Sequence, residues 1–419
     1  MDKMALEQIV SEAQSKIDEF ANKKLALDIT RGKPSQQQLD LSMPILDILS
    51  ADDLRAYQPD VRNYGGIDGL EEMKALFRDM TGASSQESVL IGGNSSLNLM
   101  HDTISTYLRY GAGEARPPWG KQQAKFICPV PGYDRHFAVC EHLGVEMIAV
   151  GMDENGPDMD AVEALVSSDN SIKGMWCVPK YSNPTGITYS DDVVRRLATM
   201  QTAADGFRIF WDNAYCVHHL GDEHEQLADI FEACRAAGHP QRVVMFASTS
   251  KITFAGSGVS AILSSPENVA WLVKHFGFQT IGPDKVNQLR HIRFFERYGV
   301  EEHMKRHAEL LQPRFSKMLE RLESGLGNTG LAKWTNPKGG YFISLDVLPG
   351  CAKEVVAKCA ELGLKLTPAG SAFPYGRDEK DSNIRIAPSF PSLDDVALAA
   401  DVLVAVVQQV CGEKLLSQQ

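Results

Sequence analysis

Lys251 stands in Ala247-Ser248-Thr249-Ser250-Lys251-Ile252-Thr253, directly after the apolar run Val243-Val244-Met245-Phe246. Upstream lie Asn183-Pro184-Thr185-Gly186 and Asp212-Asn213-Ala214-Tyr215, and far downstream lies Arg385. A lysine amine after a strand is a candidate nucleophile toward a carbonyl. Asp212 follows Phe207-Arg208-Ile209-Phe210-Trp211, and the carboxyl end of a buried strand is where α/β sheets place ligand chemistry. Asn183 and Tyr215 bring an amide and a phenol that can hydrogen-bond an oxygen on a ring. Arg385, between Ile384 and Ile386, carries the planar fork that suits a carboxylate.

Gly92-Gly93-Asn94-Ser95-Ser96 joins an expected strand at 88–91 to an expected helix at 97–110. Free backbone N–H groups and the helix dipole make such a junction a phosphate site, and the hydroxyls of Ser95 and Ser96 add donors. Taken singly, each feature has a plainer account. The glycine stretch is a turn with an N-cap, Asp212 caps a loop, Tyr215 packs in a core, and Asn183 makes a turn. Arg385 sits on an exposed strand face, and Lys251 is a solvated charge. Taken in order they meet the needs of a pyridoxal 5′-phosphate enzyme. Lys251 would form the Schiff base and then move a proton between the substrate α-carbon and the cofactor. Asp212 would keep the pyridine nitrogen protonated. Asn183 and Tyr215 at the phenolic oxygen would lower the Schiff-base pKa. Ser248 and Ser250 flank the lysine with hydroxyls.

These residues need a scaffold. The chain has 419 residues, 43% hydrophobic and 23% charged, an ordinary globular composition with room for two domains. Residues 4–24 read as an amphipathic helix through Leu6, Ile9, Val10, Ala13, Ile17 and Phe20. A helix is expected at 69–80. Short apolar runs at 88–91, 125–128, 147–150, 174–178, 207–211 and 243–246 alternate with helical segments. That alternation predicts an α/β fold with a mostly parallel sheet. Residues 283–326 read as largely helical. From Trp334 onward the pattern is α+β, with strands near 340–345 and 384–386 and helices near 352–362 and 393–410.

The ordered motifs at Asn183, Asp212, Ser248 to Lys251 and Arg385 resemble the class I/II aminotransferases of fold type I over nearly the whole chain. Leu27-Asp28-Ile29-Thr30-Arg31-Gly32-Lys33-Pro34, Arg62-Asn63-Tyr64-Gly65-Gly66 and Gly282-Pro283-Asp284-Lys285-Val286-Asn287-Gln288-Leu289-Arg290-His291 are similar to the MocR-like branch. That branch includes a subgroup of bacterial aspartate aminotransferases. The resemblance implies a large pyridoxal phosphate-binding domain with a mostly parallel seven-stranded sheet, at 61–300. It implies a smaller α+β domain at 301–419, with 1–60 as an N-terminal arm and part of that domain. It also implies a homodimer with shared active sites. Tyr64 would then reach the neighbouring subunit's cofactor phosphate, and Tyr133 would stack on the pyridine ring. Asn94, Ser95, Ser96 and Ser248 would hold the phosphate, and Gly32, Asn183 and Arg385 would face the substrate. The implied reaction is ping-pong transamination, with L-aspartate and 2-oxoglutarate as the expected pair. A dicarboxylate needs a second cation, for which Lys285, Arg290 and Arg31 are candidates. One position departs from the family: where an arginine usually binds the phosphate, eight residues after the lysine, this chain has Val259.

Other pyridoxal phosphate reactions, such as those of alanine or aromatic aminotransferases or a β-lyase, would use the same cofactor residues. A regulator of the MocR type would need a basic DNA-binding module upstream, whereas the first two dozen residues read as one acidic-leaning helix. The net charge of −12 argues against nucleic acid or anionic membrane as a main partner. No stretch reads as a secretory signal or membrane span. The 8 cysteines show no CxxC pair and no metal-finger spacing, so reduced thiols, a cytoplasmic location and no bound metal are expected.

Overall fold

The computed structural model describes residues 3–418; Met1, Asp2 and Gln419, at the ends of the expected domain ranges, lie outside the described residues. Its centre is one sheet, in the order Ser88–Gly92, Ser260–Ser264, Val243–Ser248, Arg208–Asp212, Ile172–Cys177, Lys125–Val130, Glu146–Asp153 and Gly156–Pro157. Strands from Val243–Ser248 through Glu146–Asp153 pair in parallel. Ser260–Ser264 runs antiparallel to both of its neighbours. The seven strands expected for the family are therefore joined by an eighth, the two-residue edge Gly156–Pro157.

The central strands are buried along their whole length, as in Ile172–Cys177 and Arg208–Asp212, because helices cover both faces. That is why they read as continuous apolar runs rather than alternating ones. Ser260–Ser264 is equally buried but opens and closes on serine, so its apolar core is only Ala261-Ile262-Leu263. Its signal is too short to stand out, and the run expectations passed over it.

A smaller antiparallel sheet pairs Ile343–Val347 with Ala332–Trp334 on one side and Asn383–Ile386 on the other. Register places Arg385 opposite Ser344. The expected helical stretch at 283–326 is two helices, Lys285–Tyr298 and Val300–Leu326. Gly299 separates them with φ 71°, a backbone state that a side chain disfavours.

The first helix, Lys3–Ala21, buries Leu6, Ala13 and Phe20. It lies along the last helix, Leu393–Ser417, where Gln409 donates to Gln14. A Cβ on Gly412 would come within 2.5 Å of Val10 Cγ2, so a glycine there lets the two helices approach. Leu393–Ser417 is the one described helix long and apolar enough to cross a membrane, but 72% of its apolar window is buried inside the fold.

Candidate active site

The parallel strands end on a cavity of about 280 Å³. Five strand ends deliver side chains to its wall. The turn after Ser88–Gly92 brings Asn94, Ser95 and Ser96; the one after Lys125–Val130 brings Tyr133. Asn183 follows Ile172–Cys177, Asp212 closes Arg208–Asp212 with Tyr215 just beyond, and Ser248, Ser250 and Lys251 follow Val243–Ser248. This is the crevice beyond the carboxyl ends of a parallel sheet, where ligands bind.

Asp212 is 3% exposed. Its Oδ2 accepts from His136 Nε2 at 2.9 Å. Its Oδ1 is buried with no partner. An orphaned carboxylate oxygen in a cavity wall calls for a donor from whatever fills the cavity. His136 is itself almost fully buried and stacks on Trp176, ring centres 4.1 Å apart at 6°. The sequence reading passed over His136. The signal was available, because it lies three residues after Tyr133, in the first turn of helix Asp134–His142. His136→Phe keeps the stack and deletes the N–H to Asp212. It is expected to lower kcat about tenfold, or about 1.4 kcal/mol in the barrier, which steady-state rates at saturating cofactor will read.

Lys251 projects between Asp212 and two phenols, its Nζ 5.2 Å from the ring centre of Tyr215 and 6.0 Å from that of Tyr341. Burial lowers the pKa of its amine, and the Asp212 carboxylate opposes that shift. Burial also pushes the phenols of Tyr215 and Tyr133 up, with Asp212 adding to both. Both phenols stay protonated and can donate hydrogen bonds.

At the opposite end, helix Ser96–Tyr110 starts at Ser95 with no side-chain cap. Its first N–H groups are free to meet an anion. Ser250 Oγ donates to the Asn94 carbonyl at 2.8 Å, and Ser248 Oγ donates to Ser250 Oγ at 3.1 Å. Asn94 Nδ2 donates to Ala255 O at 3.2 Å. Ser250 thus ties the lysine loop to the glycine-rich turn. Val259 is 1% exposed and belongs to the core, so it supplies nothing to a phosphate.

Arg385 is 8% exposed. Its Nη1 pairs with Asp134 Oδ1 at 2.7 Å and approaches Asn183 Oδ1 at 3.5 Å. Its Nε is buried without a partner. The guanidinium lies over Phe342, 5.1 Å from the ring centre. Gly32 packs against the same ring, where an added Cβ would stand 2.5 Å from Cζ. Tyr64 is not brought to this cavity: it is 84% exposed on its own loop. Of the candidate second cations, Lys285 donates to Gly65 O at 2.6 Å and Arg290 to Ser257 Oγ at 3.0 Å. The side chain of Arg31 has no hydrogen bond or ion pair among the described residues.

Three observations test the cavity against pyridoxal 5′-phosphate. The free Asp212 oxygen suits a protonated ring nitrogen. The uncapped helix start suits the phosphate. The amine between them suits the aldehyde. The residues fit the group.

Comparison with known proteins gives the same answer. A family model described as aspartate amino-transferase matches residues 1–419. A Mycolicibacterium smegmatis protein named as an aminotransferase is 52% identical over 94% of this chain and 95% of its own. An aspartate aminotransferase of Corynebacterium glutamicum is 50% identical over 92% and 90%. The crystal structure of an aspartate transaminase from Corynebacterium glutamicum superposes with a TM-score of 0.94 at 47% identity, covering 99% of this chain and 98% of that one. The chain belongs to the aspartate aminotransferase family and is an aminotransferase that works with pyridoxal 5′-phosphate.

Proposed function

We propose that the enzyme exchanges the amino group of L-aspartate with 2-oxoglutarate by a ping-pong cycle, in the cavity around Lys251. The observation that carries the site is the convergence of a buried amine, an unpaired Asp212 oxygen and an uncapped helix start on one cavity. The substrate reading is supported by the Corynebacterium glutamicum relatives, which are named for aspartate. The segments around Gly32, Tyr64 and Lys285 support placement in the MocR-like branch.

Pyridoxal 5′-phosphate supplies a carbonyl for amines and a ring that draws electrons from the substrate α-carbon. The chain supplies the rest. Lys251 would hold the cofactor covalently at rest. Once free, its Nζ, whose pKa burial lowers, would take a proton and later return it. Asp212, steadied by His136, keeps negative charge at the ring nitrogen. Tyr215 and Asn183 would donate hydrogen bonds to the cofactor ring, and Tyr133 would pack against it. Ser95, Ser96, Ser248 and the helix start hold phosphate, which without a cation at Val259 rests on neutral donors. Arg385 binds the substrate α-carboxylate, which must share the guanidinium with Asp134.

We read residues 61–300 as the cofactor domain, and 301–419 with the arm 1–60 as the smaller one. Packing supports this, since Leu6, Phe20, Leu27 and Ile29 join a core built largely from residues beyond 310. We read the active form as a homodimer. Tyr64, Phe278 and Ile281 are exposed at 84%, 88% and 61%. Their loops are nonetheless packed together: Lys285 grips Gly65, and a Cβ on Gly282 would meet the carbonyls of Gly65 and Gly66 at 3.0 Å. Exposed apolar side chains on ordered loops suit a subunit interface, across which Tyr64 would serve the partner's phosphate. Eight free thiols support a cytoplasmic location.

An amine-donor screen on the cofactor-loaded enzyme tests the reaction. Aspartate is expected to discharge the lysine-linked visible absorption without releasing ammonia or pyruvate, and 2-oxoglutarate to restore it. Ammonia with pyruvate would indicate a β-lyase. Discharge by alanine or phenylalanine in preference to aspartate would overturn the substrate.

A further inference from the structure

The turn that carries Lys251 is buried. Thr249, Ile252 and Thr253 are each 0% exposed. Ile252 N and Thr253 N both donate to Thr249 O, a tight turn that leaves the Ile252 carbonyl without a partner inside the turn. A buried carbonyl needs a donor. Its shortest donor is a histidine from a distant helix, and Ser42 Oγ adds a longer contact at 3.4 Å. His303 Nε2 donates to Ile252 O at 2.7 Å. His307, one helical turn further along Val300–Leu326, stands with its Nε2 3.2 Å from that of His303.

The tautomers follow from the partners. Gln38 Oε1 accepts from Ser35 N, so Gln38 Nε2 must donate to His307 Nδ1 at 3.1 Å and to Tyr341 Oη at 3.0 Å. His307 therefore carries its proton on Nε2 and turns it toward the Ile252 carbonyl, alongside the N–H of His303. On the other side, His291 Nδ1 donates to Asn287 O at 2.8 Å, which leaves Nε2 to accept from Thr253 Oγ1 at 2.8 Å. Thr253 Oγ1 lies 3.2 Å from Thr249 Oγ1, which accepts from Val259 N at 2.9 Å. A hydrogen-bonded chain thus crosses the turn from Val259 to His291. Burial pushes His291 down to about 4 and His307 down to about 3, and lowers His303 too. All three grip the turn as neutral rings and add no charge beside the amine.

We propose that His291, His303 and His307 are positioning residues that clamp the turn Thr249–Thr253 and so aim the amine of Lys251 into the cavity. They touch neither the amine nor the cavity. They act through the backbone carbonyl one residue after the lysine and the hydroxyl two residues after it. Gln38 extends the clamp to Tyr341, which lies two residues before the smaller-sheet strand Ile343–Val347 and whose ring faces the lysine. The inference rests on Lys251 being the cofactor-bearing lysine.

The test compares His303→Leu, which deletes the N–H to Ile252, with His303→Gln, which returns an N–H at similar reach. Both are assayed as pyridoxal phosphate-loaded protein beside Lys251→Ala. His303→Leu is expected to lower kcat about tenfold to a hundredfold, as a misaimed reacting group does, with KM changed by less than about twofold. The midpoint of the lysine-linked absorption in a pH titration should move with it. His303→Gln should restore both. Thr253→Val with Thr253→Ser repeats the comparison at the His291 arm should His303→Leu fail to fold. The clamp is overturned if the Leu and Val variants, counted per cofactor-loaded site, keep the parent kcat and titration midpoint. It is equally overturned if Gln and Ser fail to restore them. A parent-like rate in Lys251→Ala would instead sink the assignment of the lysine itself.

Discussion

Lys251→Ala is expected to lower kcat by more than about 10⁴-fold, because one substitution removes both the covalent attachment and the proton carrier. The visible absorption of lysine-linked cofactor should vanish with it. The fold should survive, since the amine makes no hydrogen bond or ion pair that the core depends on and stands free between Asp212 and the phenols of Tyr215 and Tyr341. A circular dichroism melt of the cofactor-free variant checks that point. Retention of ordinary turnover by a folded variant would show that the cavity at the strand ends is not where the reaction happens.

Asp212→Asn is the second large effect. The amide keeps the shape but not the negative charge, and misplaced electrostatics at a reacting centre cost about 10²–10³-fold in kcat. Asp212→Ala should be at least as damaging, because it also strands the buried N–H of His136, at about 1–3 kcal/mol of stability. In both variants Lys251 remains, so lysine-linked absorption should still form at high cofactor concentration. That separates loss of the ring's electron-withdrawing power from loss of attachment. An Asp212→Asn enzyme turning over at the parent rate would mean the carboxylate only packs.

Much of this site was legible in the chain because parallel sheets place their chemistry where an apolar run stops. Asn94, Ser95, Ser96, Asn183, Asp212 and Lys251 each follow such a run, and the fold gathers them on one cavity. His136 was marked only by its place three residues after Tyr133, since a histidine in a helix otherwise looks like a packed one. The histidines behind the lysine turn were hidden for another reason. They reach it from 38 to 55 residues away in sequence, through hydrogen bonds from helices Lys285–Tyr298 and Val300–Leu326 that only the folded chain brings to the turn. The helix break at Gly299 was overlooked because one glycine does not interrupt an amphipathic pattern that resumes at once. Tyr64 shows the limit of a single chain: its resemblance points to a phosphate, while its own fold turns it outward.

The pairing of the first and last helices sets a schedule for synthesis. Gln14 meets Gln409 across 395 residues of chain. At ribosomal speeds the Lys3–Ala21 helix emerges roughly 20–80 s before its partner exists. Every strand of the large sheet has left the ribosome well before then, the last ending at Ser264. The large sheet can close while Leu6, Ala13 and Phe20 still lack the partner helix that will cover them. The amphipathic first helix thus waits with its apolar face uncovered until helix Leu393–Ser417 is made and completes the smaller core by capturing it.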